Sequence, residues 1–193
     1  MVEGGRIDYF CHYNDAGAFV AELLDMNEAV KSALAFYTQH PQETLILVSA
    51  DHETGDVTLG DGDRMALLRQ AISSDTCDNT LVADCLAANT TFEDALPLFA
   101  SAFGLGSLSA EETALLQEAY AKTITKNAPG NKSDEESGVY EPITTACINI
   151  VAARSGVHFG SGGHTQKDVP LYAIGIGSEF FGGNFENTNI HDA

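Results

Sequence analysis

Thr44-Leu-Ile-Leu-Val-Ser-Ala50, followed at once by Asp51-His52, is the stretch that decides the fold. A continuous apolar run of this length is what a strand carries when both of its faces are buried in a parallel sheet. Upstream, Asp25-Met-Asn-Glu28 has the form of a capping box with Asp25 as N-cap. Met26, Ala29, Val30, Ala33, Leu34 and Tyr37 then recur at helical spacing until His40-Pro41 ends the helix. Asn14 to Glu22 reads as a separate short helix ahead of it. A helix feeding a buried strand is the α/β pattern. Ligand sites in open α/β sheets form beyond the carboxyl ends of strands, which is where Asp51 and His52 fall.

Two other segments bring similar side chains to that edge. The first is Met1-Val-Glu-Gly-Gly-Arg-Ile-Asp-Tyr-Phe-Cys-His12, with Glu3, Asp8 and His12 in ten positions. Met1-Val2 reads as the end of another buried strand, so the chain is expected to continue a longer domain, and Glu3 stands just past that strand. One helical turn separates Asp8 from His12 and sets both on one face. The second is Gly160-Ser-Gly-Gly-His164, a loop after the short strand Val157-His-Phe159; a further strand is expected over Val169–Gly175. Singly, each has a plain reading: Asp51 as a turn residue, His164 as a loop histidine, Asp8 and His12 as a solvated helical pair. Their agreement on one edge of one sheet is what favours a metal site. Carboxylates with imidazoles suit Zn²⁺, and Glu3, with no histidine beside it, suits the harder Mg²⁺. His40, His158 and His191 lack such company.

From about residue 60 to 138 the pattern turns helical, with segments near Met65–Ser73, Thr80–Ala88, Phe92–Phe103 and Ala110–Thr125. Thr91 with Asp94 and Ser109 with Glu112 are plausible caps. Asn127 to Gly138 is rich in turn formers and charge and reads as an exposed loop. This block looks like a helical insertion in an α/β domain. Val139 to Ala153 then reads as an apolar helix, Ser178–Gly183 as a turn and Asn187–Asp192 as one helical turn.

With 9 Lys and Arg against 28 Asp and Glu, the net charge is −19. Nucleic acid and anionic membrane surfaces would be repelled, and an anionic substrate would need bound cations to invert the local field. No segment approaches the roughly 20 apolar residues of a membrane span, and no signal peptide is visible. Cys11, Cys77, Cys85 and Cys147 are too scattered for a CxxC zinc site. Two readings stand for them: free buried thiols, or a Cys77–Cys85 bridge if the protein is exported.

Val-Glu-Gly-Gly-Arg-Ile-Asp-x-x-x-His over residues 2–12, Val-Ser-Ala-Asp-His-Glu-Thr-Gly over 48–55 and Ser-Gly-Gly-His-Thr over 161–165, in that order, closely resemble the second half of an alkaline phosphatase. Pro-Leu-Tyr-Ala-Ile-Gly-Ile-Gly-Ser-Glu-Phe-Phe-Gly-Gly at 170–183 and Asn-Thr-Asn-Ile at 187–190 resemble the bacterial members. The resemblance implies part of a doubly wound, three-layer α/β/α domain, with residues 1–193 as its C-terminal portion. It implies two zinc ions and one magnesium in the intact enzyme. Asp8, His12 and His164 would hold the first zinc, Asp51 and His52 part of the second site, and Glu3 the magnesium. The implied substrate is a phosphate monoester, and the implied location is the periplasm, cell envelope or exterior. The family's nucleophilic serine, its bridging aspartate, a hydroxyl-bearing magnesium ligand and its phosphate-clamping arginine have no counterpart here. Neither Arg6 nor Arg154 lies in a motif that matches the clamp's. The chain alone is therefore expected to bind zinc without phosphatase turnover. A sheet edge left open by the missing half should also drive homo-oligomer formation. Two alternatives stand: a phosphodiesterase, sulfatase or phosphomutase of the wider superfamily, or a non-catalytic module with a structural metal.

Overall fold

Asp15, wholly buried, begins the longest helix by accepting a hydrogen bond from the Ala18 amide. In the computed structural model, which describes residues 1–129, 140–184 and 186–190, this helix follows directly on a shorter one. The two are α1 (Gly5–His12) and α2 (Ala16–Gln39). Asn14–Glu22 and Met26–Tyr37 are thus one element, and Asp25 is an interior residue of it. The buried Asp15 outcompetes the exposed Asp25 as a cap because it also anchors a neighbouring segment, accepting from the Ser74 amide, the Ser74 hydroxyl and Gln70 Nε2. Glu28 pairs with Lys31 instead of closing a capping box.

The strands are β1 (Leu45–Val48), β2 (Glu53–Thr54), β3 (Val57–Leu59), β4 (Val157–Phe159), β5 (His164–Thr165) and β6 (Tyr172–Gly175). Among the described residues they pair antiparallel in three two-stranded ribbons, β1 with β6, β2 with β5 and β3 with β4. The fold is α/β, but β1 differs from its expectation on two counts. Its partner runs antiparallel, and Leu45 and Leu47 remain 39% and 37% exposed. With a single strand beside it, and with α2 packed chiefly on α1, α7 and the Arg64–Arg69 turn, the apolar run is covered only in part.

Most of the core lies in the helices between β3 and β4, two strands that pair with each other across that block. After the 3₁₀ turn Arg64–Arg69 come α3 (Ser74–Cys77), a π turn at Asp78–Val82, α4 (Ala83–Ala88), α5 (Phe92–Ala102), α6 (Ala110–Lys126) and α7 (Pro142–Ser155). The helix expected over Met65–Ser73 is only that short 3₁₀ turn, and the one expected from Thr80 begins six residues earlier, at Ser74. Thr91 and Ser109 cap α5 and α6 as their sequence pattern indicates, Ser109 within a complete capping box with Glu112. α7 is apolar on nearly all sides and central. Its Ile143, Cys147, Ile148 and Val151 pack with Phe99, Phe103, Leu105 and Leu116. Its end is set by Gly156, whose positive φ of 67° and tight packing on the Asp61 backbone admit no side chain.

Arg154 near the end of α7 clamps this block. Its guanidinium grips both carboxylate oxygens of Glu112, at 2.7 and 2.6 Å, and reaches the backbone carbonyls of Leu105 and Ser107. All four cysteines are free and buried, so no Cys77–Cys85 bridge forms. Burial pushes the Cys77 thiol up to about 12, as expected of an inert core thiol. Residues 130–138 of the loop expected over 127–138 and the last part of the 187–192 turn lie outside the described residues; Asn127 ends α6 and Asn187–Ile190 is a 3₁₀ turn. Among the described residues, no helix is long and apolar enough to cross a membrane.

Candidate metal centre

Three local structures converge on one point. α1, anchored by buried Phe10 and Cys11, presents Asp8 and His12 one turn apart, with Asp8 Oδ2 3.5 Å from His12 Nε2. The β2–β5 ribbon places Thr54 opposite His164 and Glu53 opposite Thr165, which brings the Asp51–Thr54 segment against the glycine-rich loop. That loop also reaches α1: the Gly162 carbonyl lies 2.8 Å from His12 Nδ1. A carbonyl can only accept, so His12 carries its proton on Nδ1 and turns an unprotonated Nε2 inward.

His12 Nε2 and His164 Nε2 are 3.0 Å apart, and Asp8 Oδ1 is 3.5 Å from His164 Nε2. Zn²⁺ holds nitrogen and oxygen ligands at about 2.0–2.1 Å, so ligands of one tetrahedral ion stand about 3.4 Å apart. The spacings of 3.0, 3.5 and 3.5 Å lie near that edge, with His12 facing Asp8 Oδ2 and His164 facing the other oxygen, Oδ1, so that the carboxylate bridges the two imidazoles. A proton on His164 Nε2 would reconcile the two imidazoles with each other. A divalent cation would equally reconcile the two imidazoles and the carboxylate, and imidazole with carboxylate is a donor set that fits zinc.

His52 stacks on His164 with ring centroids 3.6 Å apart, and Asp8, His52 and His164 offer ligand atoms all within 4.8 Å of one another. His12 stands beside this group, its Nε2 3.0 Å from His164 Nε2 and 3.5 Å from the second Asp8 oxygen, Oδ2. His52 faces Asp51, whose largely solvent-open carboxylate lies 3.4 Å from His52 Nε2. Glu3 is exposed and stands outside the cluster among the described residues. The structure thus gathers Asp8, His12, His52 and His164, keeps Asp51 at the rim and leaves Glu3 apart.

Both arginines near the motifs are engaged elsewhere. Arg6 pairs with Glu22 and Asp75 and lies over the Phe10 ring, and Arg154 serves the helical clamp. Lys167 pairs with Asp56. The closest thiol, Cys11, is pushed up to about 12 by burial, with Asp8 and Glu53 adding to the effect, so it offers no thiolate at neutral pH. A cleft of about 750 Å³ opens beside Asp51 and His52, bordered by Gln166, Lys167 and Asp168.

Two contributors escaped the sequence. Thr54 donates its hydroxyl proton to Asp8, and the Gly162 carbonyl orients His12. The only trace of either is proximity to a ligand, because a threonine or glycine carries no metal-binding chemistry of its own.

The alkaline phosphatase family profile matches residues 1–193, the whole chain. The chain belongs to the alkaline phosphatase family. It is 30% identical to alkaline phosphatase 3 of Bacillus subtilis over 190 residues, 98% of this chain and 37% of that protein. The chain thus spans little more than a third of that relative's length. Among solved structures, the cold-active alkaline phosphatase of Shewanella sp. superposes with a TM-score of 0.76 at 24% identity, over 99% of this chain and 43% of that one. The Thermus thermophilus alkaline phosphatase gives 0.60 at 25% identity, over 93% and 38%. The α/β fold is therefore that of part of an alkaline phosphatase.

Proposed function

We propose that this chain is the C-terminal, metal-binding part of a phosphate monoesterase, and that Asp8, His12 and His164 form its first zinc site. The observation that supports this is the set of spacings, 3.0–3.5 Å, between side chains of α1 and His164, two segments far apart in the chain. Asp51 and His52 would contribute to a second zinc site and Glu3 to a magnesium site completed by residues outside this chain. When bound, the cations would supply charge stabilisation to a phosphoryl transfer. The chain's own part is to hold imidazoles in one tautomer and a carboxylate in one orientation, on the rim of a cleft that can admit the ester. The cations also offset the field of a protein carrying −19, which otherwise repels a phosphate.

The test is the zinc stoichiometry of metal-stripped, reloaded protein against the His164→Ala variant. The expected result is one tightly held zinc, lost in the variant, with no hydrolysis of a chromogenic phosphate monoester by either. Absence of specific zinc in the wild-type chain would overturn the metal reading. Serine-dependent turnover would overturn the assignment of the nucleophile to residues outside the chain.

The β1–β6 ribbon is exposed on both faces, Leu45 and Leu47 on one and Tyr172 and Ile174 on the other, and these faces are assigned to the rest of such a protein. In the isolated chain the same ribbon, with unpaired edges among the described residues, favours pairing with a second copy. Light scattering should give a mass above that of the monomer; a monodisperse monomer would contradict this.

A further inference from the structure

We infer that Thr54 is the positioning residue of the metal centre, acting on three ligands at once: its hydroxyl orients Asp8 and His52, and its backbone holds His164. This rests on the metal reading above but concerns a residue with no ligand chemistry of its own.

Thr54 is 9% exposed and sits in β2, where a β-branched side chain is stiff about its first torsion. Its Oγ1 lies 2.5 Å from Asp8 Oδ1 and 3.3 Å from His52 Nδ1. A hydroxyl has one proton, and a carboxylate can only accept, so that proton goes to Asp8. The threonine oxygen is then free to accept from His52 Nδ1, which favours the Nδ1–H tautomer against the pull of the Asp51 carboxylate 3.4 Å from Nε2. The same bond uses Asp8 Oδ1, so that Oδ2 faces His12. Across the ribbon, the residue in register with Thr54 is His164. Together with the Gly162 carbonyl on His12, this gives His12 and His52 each a partner on Nδ1 before any ion arrives. Partners of this kind, which orient ligands without touching the ion, typically change metal affinity by about 10–100-fold when removed.

The alternative is that Thr54 merely fills a turn beside the site. Thr54→Val keeps its shape and removes the hydroxyl; Thr54→Ser keeps the hydroxyl and removes a methyl. Zinc affinity is read by competition with a chromophoric chelator. The Co²⁺-substituted visible spectrum reports ligand geometry, and imidazole ¹⁵N shifts of metal-free protein report the His52 tautomer. The expected result is a loss of about 10–100-fold in zinc affinity for Thr54→Val, with an altered Co²⁺ spectrum and a mixed His52 tautomer. Thr54→Ser should retain the wild-type spectrum and tautomer.

Zinc affinity and His52 tautomer unchanged in Thr54→Val would overturn the inference, even where His164→Ala loses its zinc and the proposed function stands. If the wild-type chain binds no zinc, the proposed function fails separately. The metal-free tautomer then decides for Thr54: Nδ1–H in the wild type and a mixture in Thr54→Val supports the role, and identical states overturn it. Should Thr54→Val not fold, a wild-type His52 protonated on Nε2 would by itself be fatal to the inference.

Discussion

Asp15→Ala should destabilise the chain by about 3–5 kcal/mol, since it leaves several buried donors unsatisfied at about 1–3 kcal/mol each. Asp15 is fully buried, and its two oxygens satisfy four donors: the Ala18 amide, Gln70 Nε2, the Ser74 amide and the Ser74 hydroxyl. The substitution removes the N-cap of α2 and strands the other donors in a space that water does not reach. Hydrogen bonds to a charged group contribute about 1.5–3 kcal/mol each, and they are not additive within one cluster. Ser74→Ala removes a single donor and should cost only about 1 kcal/mol. Asp15→Asn should fall between the two, because its amide nitrogen must face one set of donors. Against a total stability of about 5–15 kcal/mol for an ordinary domain, the alanine variant should unfold at a clearly lower urea midpoint. A change below about 1 kcal/mol would mean that this network does not hold α2 to the segment at Ser74.

The second large effect is expected at the clamp between the helical block and α7. Arg154→Met should cost about 2–3 kcal/mol, since it breaks a two-pronged, partly buried ion pair and releases two backbone carbonyls. Arg154→Lys keeps the charge but not the planar fork, and should recover less than half of the loss. The pair also carries a pH signature. The Arg154 guanidinium holds the Glu112 carboxyl below the usual glutamate range, against an opposing contribution from burial. A carboxylate whose value is depressed by folding contributes stability above its unfolded value and loses it as pH falls through the folded one. The stability gap between wild type and Glu112→Gln should therefore be full at neutral pH and close in acid. A gap that persists unchanged at acid pH would show that the charge pair is not its source.

Much of this architecture was legible in the chain because it is local. Ser109 with Glu112 and Thr91 with Asp94 are caps formed within four residues, and the structure contains both. Asp8 and His12 share a face because helix geometry alone puts them one turn apart. The motifs around Glu3–His12, Asp51–His52 and His164 identified the family, since each is a short, specific string.

What failed was non-local. Asp25 looked like a cap in isolation, but tertiary bonds from Ser74 and Gln70 favoured Asp15. The run at Thr44–Ala50 has the composition of a strand buried on both faces. Composition cannot name its neighbour, which is the antiparallel β6, nor how much of it that neighbour covers. The sequence thus determined the family, the helix caps, the candidate ligands and the absence of a basic surface. Only the tertiary structure decided that Asp8, His12, His52 and His164 cluster while Glu3 stands apart, and that Thr54 and the Gly162 carbonyl touch them. The reason is physical: helix and cap energies act over a few residues, whereas a ligand set is drawn together over 152 positions by the pairing of β2 with β5 and the packing of α1 against them.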